Sequence, residues 1–525
     1  MKLRRILAVT LTAAMLAMSL TGCGGGESDS QTENGSMEAD NQSGEPAAAD
    51  DGELYEIVMV IPTVGAEPAG LVDVENALNE VVGPELGVKV TLSPIYAMDL
   101  VSQQSLMITS GDKIDLASVL FTGLASYVNT GSFLELDDLY EKYGSDIASV
   151  EGVAVSGGYY NGKLYAIPSE EKMARSYGFF ARKDIVEELG LSFEENKVYT
   201  LDDLEELFAA YKAKYGDGYY CVSGTSPTTE LIANFQEIDI LGGDISYGVL
   251  TGGGLDGNAT VENLYASDDY QAYAERMYEW AQKGYFSPDA STNTESHNTQ
   301  MLTGFYLGFF TSTETDMTAN VSRDNGYEMI PINLVGPWCQ TSMYQSSLWA
   351  IPTTCENPEK TFQFLNYLYA DNTLDNLLTF GLEGVSYEVV EKGEKDGQMV
   401  IRYADGVDAS NSPYNMPLHV FGDKTTVAVF EPMTLDYYTM CEEFNNSIPD
   451  SRKSLTLGYV FDSTPVATQA SAVSAVVQQY VGIIATGAQD PATVLPQFLE
   501  ALDAAGVDEV VAENQKQLDA WLAEQ

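Results

Sequence analysis

Three observations predict an α/β fold: apolar strands alternate with helical stripes, the alternation occurs in two separate regions, and the tail is helical. The folded part opens with Glu56-Ile-Val-Met-Val-Ile-Pro62, a short apolar strand closed by proline. Leu71, Val74, Leu78, Val81 and Val82 then recur at helical spacing. Val88-Lys-Val-Thr-Leu92 is the next strand, and Leu100, Gln104, Met107 and Ile108 mark a second helix. Gly111-Asp-Lys-Ile-Asp115 turns into the strand Leu116-Ala-Ser-Val-Leu120, so this region reads as a parallel sheet covered on both faces.

Beyond Leu134-Glu-Leu-Asp-Asp-Leu139, the stretch Tyr160-Asn-Gly-Lys-Leu-Tyr-Ala-Ile-Pro168 predicts a hairpin around Asn161-Gly162. A second α/β region begins near Tyr177-Gly-Phe-Phe-Ala-Arg-Lys183. Its first helix starts at Thr200, with Asp203 three positions on to complete a cap and Leu204, Leu207, Phe208 and Tyr211 as the apolar face. A helix from Tyr270 to Lys283 ends at Gly284, and the strand Tyr306-Leu-Gly-Phe-Phe310 follows. Asn357-Pro358-Glu359 combines a capping asparagine with a first-turn proline, and Phe362, Leu365 and Tyr369 continue a buried stripe. Three stripes close the chain: Val473 to Ile484, Val494 to Leu502, and Val507 to Leu522. Trp280 and Trp521 fall on such stripes and are expected in the core. No repeat of solenoid length is present.

The N-terminus carries a different signal. A positive segment, Met1-Lys-Leu-Arg-Arg5, precedes an apolar run from Ile6 to Leu20 that is too short for a comfortable membrane span and suits an export signal. Leu20-Thr-Gly-Cys23 resembles the bacterial lipobox, which implies a signal peptide over 1–22 and acylation of Cys23. Residues 23–53 then form a tether of Gly, Ser, Glu, Asp and Asn with little to bury. The expected location is the outer face of the cell membrane, held by lipid.

Charge narrows the partners. Lys and Arg total 25 against 78 Asp and Glu, a formal charge of −53. A field of that sign repels phosphate backbones, so nucleic acid is not an expected partner. It also disfavours polyanionic ligands and favours neutral or cationic small molecules. Cys221, Cys339, Cys355 and Cys441 show no C-x-x-C pairing, which leaves both a disulfide and buried thiols open. With His297 and His419 the only histidines, no metal site and no cofactor are expected.

Several segments resemble the extracellular solute-binding proteins of ABC transporters, in the group that handles sugars. Tyr160 to Pro168 followed by Tyr177-Gly-Phe-Phe-Ala-Arg-Lys-Asp184 is similar to that group's first crossing between lobes. Ser347-Leu-Trp-Ala-Ile-Pro352 and the helix after Asn357 resemble the return, with Gly381-Leu-Glu-Gly384 as the turn that ends the block. Gly458-Tyr-Val-Phe-Asp-Ser-Thr-Pro465 and Lys516-Gln-Leu-Asp-Ala-Trp-Leu522 resemble the tail of a lipoprotein subgroup from Gram-positive bacteria. His419-Val-Phe-Gly-Asp423 stands where that group has a tryptophan and an amide, a departure that bears on the ligand and not on the fold.

The resemblance implies a two-lobe, periplasmic-binding-protein-like (type II) fold with an interlobe hinge. One lobe would comprise 54–169 and 341–385, the other 170–340 and 386–525. A solute would bind in the cleft and pass to permease subunits, with no covalent chemistry and the chain a monomer. Sugar recognition needs aromatic faces beside short polar groups. Phe121 and Thr122 end a strand at the carboxyl edge of the sheet. Glu170, Glu171, Arg175 and Tyr177 lie at the first crossing, where an Arg–Glu pair could equally brace the hinge. Trp338, Tyr344 and Trp349 surround the second, His419, Phe421 and Asp423 could close the cleft, and Pro62-Thr63 is a weaker candidate. The expected ligand is an oligosaccharide or modified sugar. A peptide- or amino-acid-binding protein of the same fold, an adhesive or structural surface protein and a surface glycoside hydrolase remain the alternatives. No G-x-S-x-G, H-E-x-x-H or P-loop supports an enzyme.

Overall fold

Parallel pairing of the first two strands sets the architecture of the first lobe. In the computed structural model, Tyr55–Thr63 runs beside Val88–Tyr96 in continuous register from Tyr55↔Val88 to Thr63↔Tyr96. The structure describes residues 54–524 except 121, 122, 195, 196, 315, 316, 417 and 419. The helix Leu71–Leu86 links the two strands and buries Leu71, Val74, Leu78 and Val82, while Val81 is only partly covered. Gly87, at φ 66°, ends it in the left-handed conformation that glycine adopts at least cost.

The sheet is mixed rather than wholly parallel. Ala117–Leu120 joins through the parallel bridge Met59↔Leu116, then pairs antiparallel with Ser347–Ala350, which pairs antiparallel with Ala166–Pro168. Strands distant in sequence thus return to one core, where Ile57, Val90, Leu116, Trp349 and Phe362 meet. The hairpin forms as expected between Tyr159–Tyr160 and Lys163–Leu164, with Asn161 at φ 49° and Gly162 at φ 74°. Positive φ at both central residues is what a tight primed turn requires.

The second lobe is built on Met329–Trp338, Arg175–Arg182, Tyr306–Ser312 and Tyr220–Val222, adjacent in that order. Leu201–Tyr215 begins with the complete capping box of Thr200 and Asp203. Asp268–Gln282 starts two residues before the expected Tyr270, because the Ser267 side chain accepts from Tyr270 N and sets the cap there. The tail helices Ala467–Ala485, Pro491–Ala505 and Val507–Leu522 bury Val473, Phe498 and Leu518 in the same core as Phe208 and Trp280.

One stretch departs from the expected division. The turn at Gly381 to Gly384 does not lead into the second lobe. It feeds a small sheet of Tyr387–Lys392, Met399–Tyr403 and Val429–Phe430, which has its own apolar clusters around Ile401 and around Tyr437 and Tyr438. Tyr414, Met416, Val420 and Phe421 return to the core of the first lobe, and only from Tyr459 onward does the chain pack in the second. Packing, not sequence order, keeps 386–446 on the first-lobe side.

All four cysteines from Cys221 to Cys441 are buried thiols outside any disulfide, so the thiol alternative holds. Among the described residues no helix is long and apolar enough to cross a membrane. The expectations for 1–53 lie outside the described residues.

Trp280 ties the tail helices to the second sheet. Its ring lies 5.1 Å from Phe208 and is nearly parallel to Phe310, and its Nε1 donates to Glu205 Oε2 at 2.9 Å. Trp280→Ala is expected to lower unfolding free energy by about 3–5 kcal/mol, measured by denaturant titration.

Candidate functional site: a cleft between two lobes

Three chain segments join the lobes, at 169–174, 339–346 and 447–458. They are bonded to one another. Cys339 N donates to Arg452 O at 2.8 Å, and Ser454 N donates to Cys339 O at 2.9 Å. Met173 N donates to Asn445 Oδ1 at 2.9 Å, while Asn445 Nδ2 donates to Glu171 O at 2.8 Å. The central acceptor is Asp239, on the second-lobe strand Ile238–Ile240. Its carboxylate takes Thr341 N at 3.0 Å, Thr341 Oγ1 at 2.7 Å and Thr456 Oγ1 at 3.4 Å. Burial pushes this carboxyl up to about 6 against the donors that lower it.

Beside the crossings opens a cavity of about 940 Å³, near the upper end of the range for small-molecule sites. Glu171 and Lys172 of the first crossing border it. The helix Thr318–Asn325, packed through Val321 on the second sheet, supplies Asn320, Val321, Arg323 and Asp324. The opposite side carries Phe380, Asn415, Leu418 and Lys424 from the first-lobe side. The small sheet adds Arg402, Tyr403 and Phe430. The Tyr403 and Phe430 rings lie 4.7 Å apart at 40°, a half-exposed aromatic pair. Asn320 Nδ2 lies 3.2 Å from Met433 Sδ, so the two walls already touch at one edge.

Residues 79–396 match the family model of the bacterial extracellular solute-binding proteins, more than half of the chain. The chain belongs to that family. Residues 455–523, the region of the tail helices, match a domain of unknown function, DUF3502. A "Carbohydrate ABC transporter substrate-binding protein" of Streptococcus pneumoniae serotype 4 is 24% identical over 486 residues, covering 90% of this chain and 92% of that one. The crystal structure of the N-glycan transport solute binding protein NgtS from Streptococcus pneumoniae aligns with a TM-score of 0.71 at 21% identity, over 89% of this chain and 99% of that one. FusA, an ABC-transporter substrate binding protein of Streptococcus pneumoniae solved with kestose, aligns at 0.56 and 14% identity, over 90% and 100%. These alignments fix the fold as the mixed α/β solute-binding fold with C-terminal helices.

In this solute-binding protein the residues singled out by sequence fall into several environments. Glu171 borders the cavity. Glu170 is buried, accepts from Ser346 Oγ at 2.8 Å, and donates its N–H to Glu151 Oε1 at 3.1 Å; burial pushes both carboxyls up. It therefore locks the first crossing to the second, with no ion pair to Arg175 among the described residues. Arg175 is half-buried opposite Trp338 in the ladder, and Tyr177 OH accepts from Gln340 Nε2 at 3.1 Å.

The large aromatics sit deeper than expected. Trp338 is 1% exposed and faces Gly253, where a Cβ would lie 2.7 Å from the ring. Tyr344 is buried with Ala154 and Met343, its OH on Met173 O at 3.3 Å. Trp349 is fully buried, donates to Val420 O at 2.6 Å, and stacks on buried Phe421. Asp423 accepts from Thr425 N at 3.0 Å and caps a local turn. None of these five is among the residues lining the cavity. The faces on which Trp338 and Trp349 lie are covered, by Gly253 over the one and by Val420 and Phe421 over the other. Phe121, Thr122 and His419 lie outside the described residues. Thr63 is buried at its strand end.

Sequence reading missed Arg323, Arg402, Tyr403 and Phe430. They come from a helix of eight residues and strands of five and two, too short to leave a periodic pattern.

The crossing carboxylate makes stability depend on pH. An exposed aspartate titrates near ~3.9, so between there and about 6 the folded chain holds a proton at Asp239 that the unfolded chain releases. This contribution is full below the lower value and is lost as pH rises through the upper one. The thermal midpoint is expected to rise as pH falls from 7.5 to 5. Asp239→Asn should flatten part of that rise, with buried Glu151, Glu170 and Asp375 carrying the remainder.

Proposed function

We propose that this chain is the lipid-anchored, carbohydrate-binding component of an ABC importer, which takes an oligosaccharide or modified sugar into the cleft and delivers it to permease subunits. The observation that carries the reading is the Tyr403–Phe430 pair, set beside amide and charged side chains in a cavity bordered by both lobes. A pyranose ring presents C–H faces that lie well on aromatic surface, and its hydroxyls need groups such as Asn320 and Asn415. The pneumococcal relatives named for carbohydrate and N-glycan transport, and the one solved with kestose, support the same solute class.

Binding acts on the equilibrium between open and closed forms. A solute touching Asn320 on one wall and Tyr403 on the other stabilises the closed form by the contacts it gains there. Cys23 would hold the protein at the outer membrane face, since two acyl chains anchor stably where one does not. The binding unit is then a tethered monomer.

A thermal-shift panel of oligosaccharides, amino acids and peptides tests the solute class. A ligand at a hundredfold excess over its Kd adds about 2.7 kcal/mol, a clear rise in midpoint. Oligosaccharides should give it and remain intact after incubation; a shift with peptides alone, or shortened glycan products, would overturn the reading. Tyr403→Ala should weaken the responding glycan by roughly tenfold in calorimetry, the size of a lost anchoring contact. Replacing Cys23 by Ala should move the protein from the membrane fraction to the medium.

A further inference from the structure

The cavity draws on cations that are scarce in the rest of the chain. Over the whole chain Lys and Arg number 25 against 78 Asp and Glu. Among the described residues lining the cavity, the cationic side chains Lys172, Arg323, Arg402 and Lys424 stand beside the anionic Glu171, Asp324 and Glu431. A chain this poor in cations has gathered them where a solute would enter.

The bonding of Arg323, Arg402 and Lys424 is partial, and each keeps N–H donors beyond those its partners take. Arg323 binds Asp324 through Nε, at 2.8 Å, so the fork of its two terminal nitrogens is not used by that pair. Arg402 spends Nε and Nη2 on Glu388 Oε2, at 3.3 and 2.9 Å. Lys424 Nζ donates to the backbone oxygen of Ser169 at 3.0 Å and has no carboxylate within ion-pair distance among the described residues. Its charge acts on Glu151 and Glu170, buried carboxyls that burial pushes up toward the protonated form. Arg323 is also close enough to Tyr403 for its charge to act on the phenol. A guanidinium next to an aromatic pair is a layout for a ring that carries a carboxylate.

Resting on the carbohydrate reading above, we infer that the cleft selects an acidic glycan, with a carboxylate-bearing sugar (a uronic or sialic acid) stacked on Tyr403 and Phe430 and its carboxylate on Arg323. Lys424 and Arg402 add to the local positive field. Because Arg323 belongs to the second-lobe wall and Tyr403 to the other, one sugar residue would join the two and favour closure.

The test is a glycan array of matched neutral and acidic structures, such as lactose with sialyllactose and glucose-terminated with glucuronate-terminated oligosaccharides, probed with the purified chain. Calorimetry of the strongest pair at low and high salt follows. Acidic members should bind about tenfold more tightly than their neutral partners at low salt, and the gap should narrow at high salt. Arg323→Gln, at a half-exposed position, should bring the acidic-to-neutral ratio close to one with the thermal midpoint unchanged, and Lys424→Gln should reduce it. Neutral members binding as well as acidic ones, or an acidic preference indifferent to salt and to Arg323→Gln, overturns this inference while leaving the carbohydrate reading standing. Binding of no glycan together with a peptide response removes both.

Discussion

A carboxylate taken out of water costs several kcal/mol unless donors replace the solvent, and the donors to Asp239 come from two different crossings. Thr341 belongs to the segment between Trp338 and Ser347, and Thr456 to the one leading into the tail. Arg452 reinforces the exchange, donating to Gly336 O, Pro337 O and Glu237 Oε1 within 3.0 Å. The segments therefore cannot slide past one another without stranding a buried charge. Rotation of whole lobes about the tied strip keeps every one of these bonds, so hinge motion is the deformation the geometry favours.

The same strip sets how closely the first lobe approaches. A Cβ at Gly157 would lie 1.9 Å from Tyr344 O, and one at Gly158 would lie 1.7 Å from Ala166 O. Backbone meets backbone there, and only glycine leaves room. Ser346 on Glu170 then connects the first crossing to the second, and Asn445 on Glu171 connects it to the layer 386–446. The layer 386–446 hangs from this junction with two small apolar clusters of its own. Few buried contacts hold it compared with either lobe, which gives the cavity wall bearing Tyr403 and Phe430 more freedom than the sheets behind it.

What the sequence revealed follows the range of the interactions. The Thr200–Asp203 box, the Asn357 cap and the Asn161-Gly162 turn are complete within a few residues, and each forms where expected. The apolar stripes also foretold the tail helices, since one face of a helix needs no knowledge of its partner. The cleft was legible only at Glu171, which lies on a crossing that the family resemblance implied. Trp349 shows why the rest was not. Alternation identifies two faces of a strand but not what covers them, and here Val420 and Phe421, some seventy positions away, close over the indole. Likewise Arg323 and Tyr403 become neighbours only because the Gly381 turn keeps the chain at the first lobe.

Net charge says little about the cavity for a related reason: it has no position. Fixed charges in water are screened over about 8 Å at physiological ionic strength, so most of the −53 cannot act inside the cavity. An acidic solute within it would have Arg323, Arg402 and Lys424 along the cavity wall, at shorter range than the carboxylates of the outer surface. The two scales act at different stages of binding. Surface repulsion opposes the approach of an acidic glycan, while the local cations stabilise it once it has arrived. Salt weakens both, and so should speed the association of such a ligand while lowering its affinity, a combination that neither a uniformly acidic protein nor a neutral cleft would produce.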